Sequence, residues 1–213
     1  LFSVVMVSNS ANASSTDVEN VVNYGATGND LSDDTKNIQN AINTATTSGK
    51  TVFIPKGSYF INPTIGLRLN NNTEINFESG AKLISLPTTN GFYNIIKIWN
   101  VSNIKITGYP TIVWDRDIHK GTSGEWGMGI SIKSSNSVYV ENANISNCWG
   151  DGIYLGVLDG YQLYNKDIVL KNVNLDNNRR QGISVISAIN LKIENPTVTN
   201  TNGTNPQSGI DIE

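Results

Sequence analysis

GDGIYLG, Gly150–Gly156, places one carboxylate between two glycines and then alternates apolar, polar and apolar residues. Its Gly-Ile pair recurs. Gly129-Ile130, Gly152-Ile153, Gly182-Ile183 and Gly209-Ile210 follow one another at intervals of 23, 30 and 27 residues, and each interval holds a second strand-like run, at Ser137 to Val140, Asp167 to Leu170 and Asn190 to Ile193. A unit of roughly 20 to 30 residues that cannot bury its own apolar face has to stack on copies of itself. Two or three short strands per unit, with no helix between them, predict an all-β fold: a parallel β-helix solenoid. The L-x-x-L-x-L frame of a leucine-rich repeat is missing, as are the antiparallel hairpins of a propeller blade.

The bounds of the chain agree with this reading. Its 213 residues suit one domain that buries roughly 70% of its unfolded surface. A formal net charge of −3 without blocks of like charge excludes nucleic acid and anionic membrane as electrostatic partners. The single Cys148 excludes an internal disulfide and reads as a small buried hydrophobe. The opening LFSVVMVSNSANASS has a short apolar run followed by Ala11-Asn12-Ala13, the A-x-A pattern of an export-signal cleavage site, with an ordinary first strand as the alternative. Residues 1–16 are therefore expected to be the remnant of a leader and 17–213 the β-helix, secreted or at the cell surface. Because the sequence stops at GIDIE, in mid-rung, the solenoid is expected to be incomplete at that end. No segment approaches the length of about 20 apolar residues that a membrane span needs.

One segment has a helical period. In SDDTKNIQNAINTATTSGK, Asp33 or Asp34 can cap the first turn, Ile38, Ala41, Ile42 and Ala45 share a face, and Gly49 supplies the stop. Together with its flanks, NYGATGNDLSDDTKNIQNAINTATTSGKTVFIPKGSYFI, Asn23 to Ile61, it closely resembles the entry segment of the pectate lyase-like superfamily, in the pattern GA.G...DDT..IQ.AI..A...G..V.IP.G.Y. The remainder resembles that superfamily in rung pattern alone. The resemblance implies a right-handed parallel β-helix whose N-terminal α-helix covers the first rung. It also implies activity on polysaccharides, as in the loosely similar polygalacturonase-type glycoside hydrolases. Asn147 to Gly152 faintly echoes the N-T-D-G motif of those enzymes, but no adjacent aspartate pair, G-H-G or R-x-K follows, so their catalytic residues are not carried over.

Stacked rungs turn columns of sequence into rows in space, about 4.8 Å apart, and strand alternation sorts inside from outside. Ile130, Ile153, Ile183 and Ile210 then point inward. Ser131, Tyr154, Ser184 and Asp211 point outward, followed by Lys133, Gly156, Ile186 and Glu213. At the turn before the strands lie Met128, Asp151, Gln181 and Ser208, and beyond them Arg180, then Trp126, Trp149 and Arg179. The long polar loop WDRDIHKGTSGEWGMG brings Asp115, Asp117, the only histidine His119 and Glu125 to the same side. Aromatic faces, guanidinium groups and paired acids are what binding and cutting a sugar chain require.

The catalytic candidates are accordingly Asp151, Asp211, Glu125 and Asp117. Arg179, Arg180, Trp126, Tyr154, His119 and Glu213 are the substrate-binding candidates. Bland readings stand beside them: Asp151 as an Asx-turn residue with glycines where the backbone turns sharply, Asp211 and Glu213 as solvated surface, Trp149 as packing under the turn, and His119 as an exposed side chain in its DRDIHKG context. Asp151 and Asp211, two rungs or about 9.6 Å apart, reach the upper limit of the roughly 6.5–9.5 Å that an inverting hydrolase spans. Asp151 with Glu125 is the better pair. The first expectation is a glycoside hydrolase. The alternatives are a lyase on uronic-acid polymers, with Arg180, Lys133 and His119 as the working groups, and a non-catalytic glycan-binding spike or adhesin module. No cofactor is required; Asp115, Asp117 and Glu125 could offer oxygen ligands to calcium, at a spacing that fits no defined loop. Nothing in the sequence sets an oligomeric state.

Overall fold

The computed structural model describes residues 17–213, so the expected leader lies outside the described residues. Three parallel sheets of seven, six and six strands wind into a right-handed β-helix, each rung contributing one strand to each sheet. Register is kept from rung to rung. Along the first sheet Val52, Ile75, Ile106, Val140, Leu170 and Ile193 lie one above another. Along the third, Ile96, Ile130, Ile153, Ile183 and Ile210 do the same. These rows as far as Leu170 and Ile183, with Leu83, Ile112, Ile145 and Leu175 of the second sheet, form one continuous apolar core; Ile193 packs partly buried against it, and Ile210, expected to point inward, is 40% exposed. Aliphatic side chains of similar size repeat at the strand spacing, all of them Ile along the third sheet, so each fills the gap left by the one below.

Many corners are made by residues with positive φ, and most of the non-glycine ones are Asn. Asn142, Asn172 and Asn195 (φ 53°, 51° and 49°) turn the chain between the first and second sheets on successive rungs. Asn172 donates to the Asn142 amide oxygen at 3.1 Å and Asn195 to that of Asn172 at 3.2 Å, which makes an amide ladder. Asn tolerates the left-handed region, and its side chain satisfies the row above and below.

The helix Thr35–Ser48 covers the first rung with Ile38, Ala41, Ile42 and Ala45, all buried. Of the two expected caps, Asp33 takes the first-turn amide of Thr35 at 3.0 Å, whereas Asp34 accepts from the backbone of Phe60 at 3.2 Å. Gln39 receives the amide of Arg68 and donates to its carbonyl, at 2.8 and 2.9 Å, pairing backbone groups on the edge of the third sheet that would otherwise be open. Among the described residues no helix is long and apolar enough to cross a membrane.

Candidate functional site

The third sheet carries the candidate residues on its outer face, in strands Phe92–Trp99, Trp126–Lys133, Ile153–Gly156, Gln181–Val185 and Ser208–Ile212. Register places Ser131, Tyr154, Ser184 and Asp211 in one row. The glycines around Asp151 are there for close approach rather than for a sharp turn. Neither has a positive φ; the left-handed corner is Asn147 (φ 62°). A Cβ on Gly150 would lie 2.2 Å from the Glu125 carbonyl oxygen, and one on Gly152 would lie 2.8 Å from that of Gly182. Gly150 is thus what lets the long loop press Glu125 against this rung.

Asp151 is fully buried. Its carboxylate accepts from the Ser184 hydroxyl at 2.7 Å and from Arg180 Nη1 at 3.0 Å, so it is not an Asx turn residue. Burial pushes its pKa up to about 6 against the lowering effects of Ser184 and Arg180. Arg180 is the hub. Its Nε lies 3.8 Å from Glu125 and its Nη2 4.0 Å from Glu213, while Nη1 also donates to Gln181 at 2.8 Å. Gln181 in turn donates to Asp211, so the two aspartates expected to stand apart are linked through Arg180 and then Gln181. Glu125 and Glu213 keep side-chain exposures of 34% and 48%, which leaves them, unlike Asp151, open to an incoming molecule.

Expectations change in the loop and beside it. His119 is not exposed: its side chain is fully buried, Nδ1 lies 2.7 Å from Asp115, and the ring stacks on Trp149 at 3.9 Å between centroids. Asp115 is buried as well and accepts the Tyr93 hydroxyl at 2.5 Å, so this pair anchors the loop internally. Among the described residues Arg179 pairs with no carboxylate; it lies over Trp149 at 4.0 Å and donates to the carbonyls of Gly124 and Trp149. Asp117 stays on the exposed side of the loop. The three carboxylates suggested for calcium diverge, Asp115 to Tyr93 and His119, Glu125 towards Arg180 and Asp117 to solvent, and among the described residues no cluster of three or more His, Cys, Asp or Glu is placed to hold a metal.

Next to the Arg180 cluster an open pocket of about 320 Å³ is lined by Phe92, Asn94, Trp126, Met128, Lys133 and Tyr154. Trp126 and Tyr154 were expected there; Phe92 and Asn94 were not. Carrying the alignment one rung back would have found them, because Phe92 pairs with Trp126 and Asn94 with Met128. The importance of Ser184 and Gln181 was hidden for another reason: outward-facing polar residues read as solvated, yet both are fully buried.

A family model described as rhamnogalacturonase A/epimerase, pectate lyase-like, matches residues 18–211. The chain belongs to that rhamnogalacturonase A/epimerase, pectate lyase-like family. A curated relative, the uncharacterized protein YclG of Bacillus subtilis (strain 168), is 29% identical over 91% of this chain and 37% of its own length. The SPbeta prophage-derived uncharacterized protein YorA of the same organism is 28% identical over 76% of this chain and 32% of its own. The chain thus spans about a third of the length of these relatives. Two solved structures share the family's fold. The iota-carrageenase of family GH82 from A. fortis superposes with a TM-score of 0.68 at 20% identity, over 83% of this chain and 39% of its own. The A-module of the mannuronan C-5 epimerase AlgE4 from Azotobacter vinelandii gives 0.66 at 20% identity, over 84% and 50%.

Proposed function

We propose that this face binds a polysaccharide and acts on its glycosidic bonds, most simply as a glycoside hydrolase. The carrying observation is the convergence of Glu125, Asp151, Arg180 and Glu213 from a loop and three rungs beside an aromatic pocket. In this reading Asp151 is a positioning residue, since its buried carboxylate holds Arg180 and reaches no substrate. Glu125, partly exposed, and Glu213, exposed, each beside the Arg180 guanidinium, take the roles of proton donor and base. The match to carbohydrate-active family members and solved folds supports the polysaccharide, and an extracellular or cell-surface site of action belongs to the same proposal.

Two cations on one face, Arg180 and Lys133 with Tyr154 between them, favour a second reading, a lyase acting beside a uronic carboxylate. One experiment separates the two. The protein is incubated with a panel of acidic and neutral polysaccharides, scoring new reducing ends and the absorbance of unsaturated products. Reducing ends without absorbance support the hydrolase, absorbance supports the lyase, and binding with neither product supports a glycan-binding module. Glu125→Gln should lower turnover at least 100-fold, the usual scale for a general acid or base, while leaving the melting temperature unchanged; full activity in that variant would remove Glu125 from the mechanism.

A further inference from the structure

Among the described residues the Glu125 carboxylate has no partner nearer than Arg180 Nε at 3.8 Å, so its place is set by the backbone that carries it. That backbone ends the loop between strands Thr111–Val113 and Trp126–Lys133, and it is held from two sides. On one side Gly91 and Gly124 pass so closely that a Cβ on Gly124 would lie 2.5 Å from the Gly91 Cα, and Trp126 donates its amide to the Gly91 carbonyl at 2.9 Å. On the other side stands Arg179, from two rungs further along. Its Nη1 donates at 3.0 Å to the carbonyl of Gly124, directly before Glu125, and at 3.3 Å to that of Trp149. Neighbouring rungs fix the Arg179 backbone in turn: its amide donates to the Cys148 carbonyl at 2.9 Å, and its own carbonyl accepts from the Thr204 amide at 2.9 Å. The guanidinium lies 4.0 Å from the Trp149 ring centre, and His119, held by Asp115, stacks on the same indole at 3.9 Å. Both ends of the loop are thereby tied to one side chain, the first through His119 and the second through Arg179. A planar guanidinium can stack on an indole and donate from its edge at the same time, which an ammonium cannot.

We propose that Arg179 is a positioning residue for Glu125: through Gly124 and Trp149 it fixes where the Glu125 carboxylate stands relative to Arg180 and Glu213. Adjacent arginines divide the work, Arg180 facing the carboxylates and Arg179 the backbone that presents one of them. The inference rests on the reading of Glu125 as proton donor or base. It gives Arg179 no contact with the sugar, in contrast to the substrate-binding role expected from the sequence. Order in the loop then belongs to the turnover step, because a working group misplaced by about 1 Å can lose roughly 100-fold in rate.

The test compares Arg179→Met and Arg179→Lys with the unaltered protein in two measurements. Hydrogen exchange followed by mass spectrometry reads the loop, whose Lys120 and Trp126 amides donate to the carbonyls of Thr88 and Gly91. Turnover is measured on each polysaccharide of the panel above that the unaltered protein cleaves. Arg179→Met should speed exchange across residues 115–126 by about tenfold while the rungs on either side keep theirs. It should also lower kcat by about tenfold or more at unchanged KM, the split expected when a working group is misplaced and substrate contacts are kept. Arg179→Lys keeps the charge and a donor without the stacked fork, so it should fall between the two and decides the matter if the Met variant folds poorly. Unchanged loop exchange, unchanged kcat in a loosened loop, or a raised KM at unchanged kcat would each overturn the proposal, as would loss of the whole fold in both variants. If the unaltered protein cleaves no polysaccharide, the enzymatic reading fails alone: a loosened loop still supports the placement of Glu125 by Arg179, and an unchanged one still sinks it.

Discussion

Asp151 keeps a carboxylate where water does not reach it, and its protonation is consequently tied to folding. In the unfolded chain the group has its ordinary value near 3.8, and in the fold burial raises it to about 6. Between these values the native state binds more protons than the unfolded one, so this contribution to stability is fully present below pH 4 and is lost as pH rises through 6. The full effect is about 3 kcal/mol at the usual 1.36 kcal/mol per pKa unit. Asp34, also raised to about 6 chiefly by burial, loses stability in the same window. Asp151→Asn removes one of the two, so its melting temperature should vary less between pH 4 and 6 than that of the unaltered protein. Melting curves across that range check this; an unchanged pH slope would mean that Asp151 titrates normally. The presence of a carboxylate worth explaining was legible in GDGIYLG. Its partners were not, because Ser184 and Arg180 are 33 and 29 residues away and reach it only through stacking.

At the level of single elements, the corners carry the solenoid as much as the strands do. Asn172 holds a φ of 51° and makes ladder hydrogen bonds to the rungs on both sides. Asn172→Ala gives up both bonds and keeps the left-handed backbone, at a cost of about 2 kcal/mol when roughly 1 kcal/mol of strain is added to the bonds. Asn172→Gly loses the bonds without the strain and should be about 1 kcal/mol less damaging. Urea unfolding of the two variants orders them; equal loss would show that backbone strain plays no part. The strands were legible from their alternation and from the recurring Gly-Ile pairs. The loop from Asp115 to Glu125 was legible only as polar. Its packing inverted the expectation, because His119 finds Asp115, Tyr93 and Trp149 and the ring is drawn inside.

Over the whole molecule, stability and solubility depend on how the open first rung is closed. The helix supplies buried Ile38, Ala41, Ile42 and Ala45, and Gln39 pairs the backbone of Arg68. Ile42→Asp places a charge in that contact and should uncover strand edges and apolar side chains together. The expected result is loss of helical signal in circular dichroism and concentration-dependent association by light scattering, as unprotected edges template further strands. A variant that keeps the unaltered protein's scattering mass at every concentration and merely melts earlier would show that the rungs protect themselves without the cap.

Periodicity in the sequence determined the solenoid, its rung register and the capping helix, because each follows from local rules: alternation for strands, a 3.6-residue period for the helix, left-handed residues at corners. The tertiary structure alone decided which of the outward residues are buried and which are open, drawing Asp151 and His119 inside and leaving Glu125 partly open beside Arg180 and Trp126 and Lys133 at the pocket. Burial of a polar group depends on what neighbouring rungs and loops lay across it, and those neighbours lie tens of residues away along the chain.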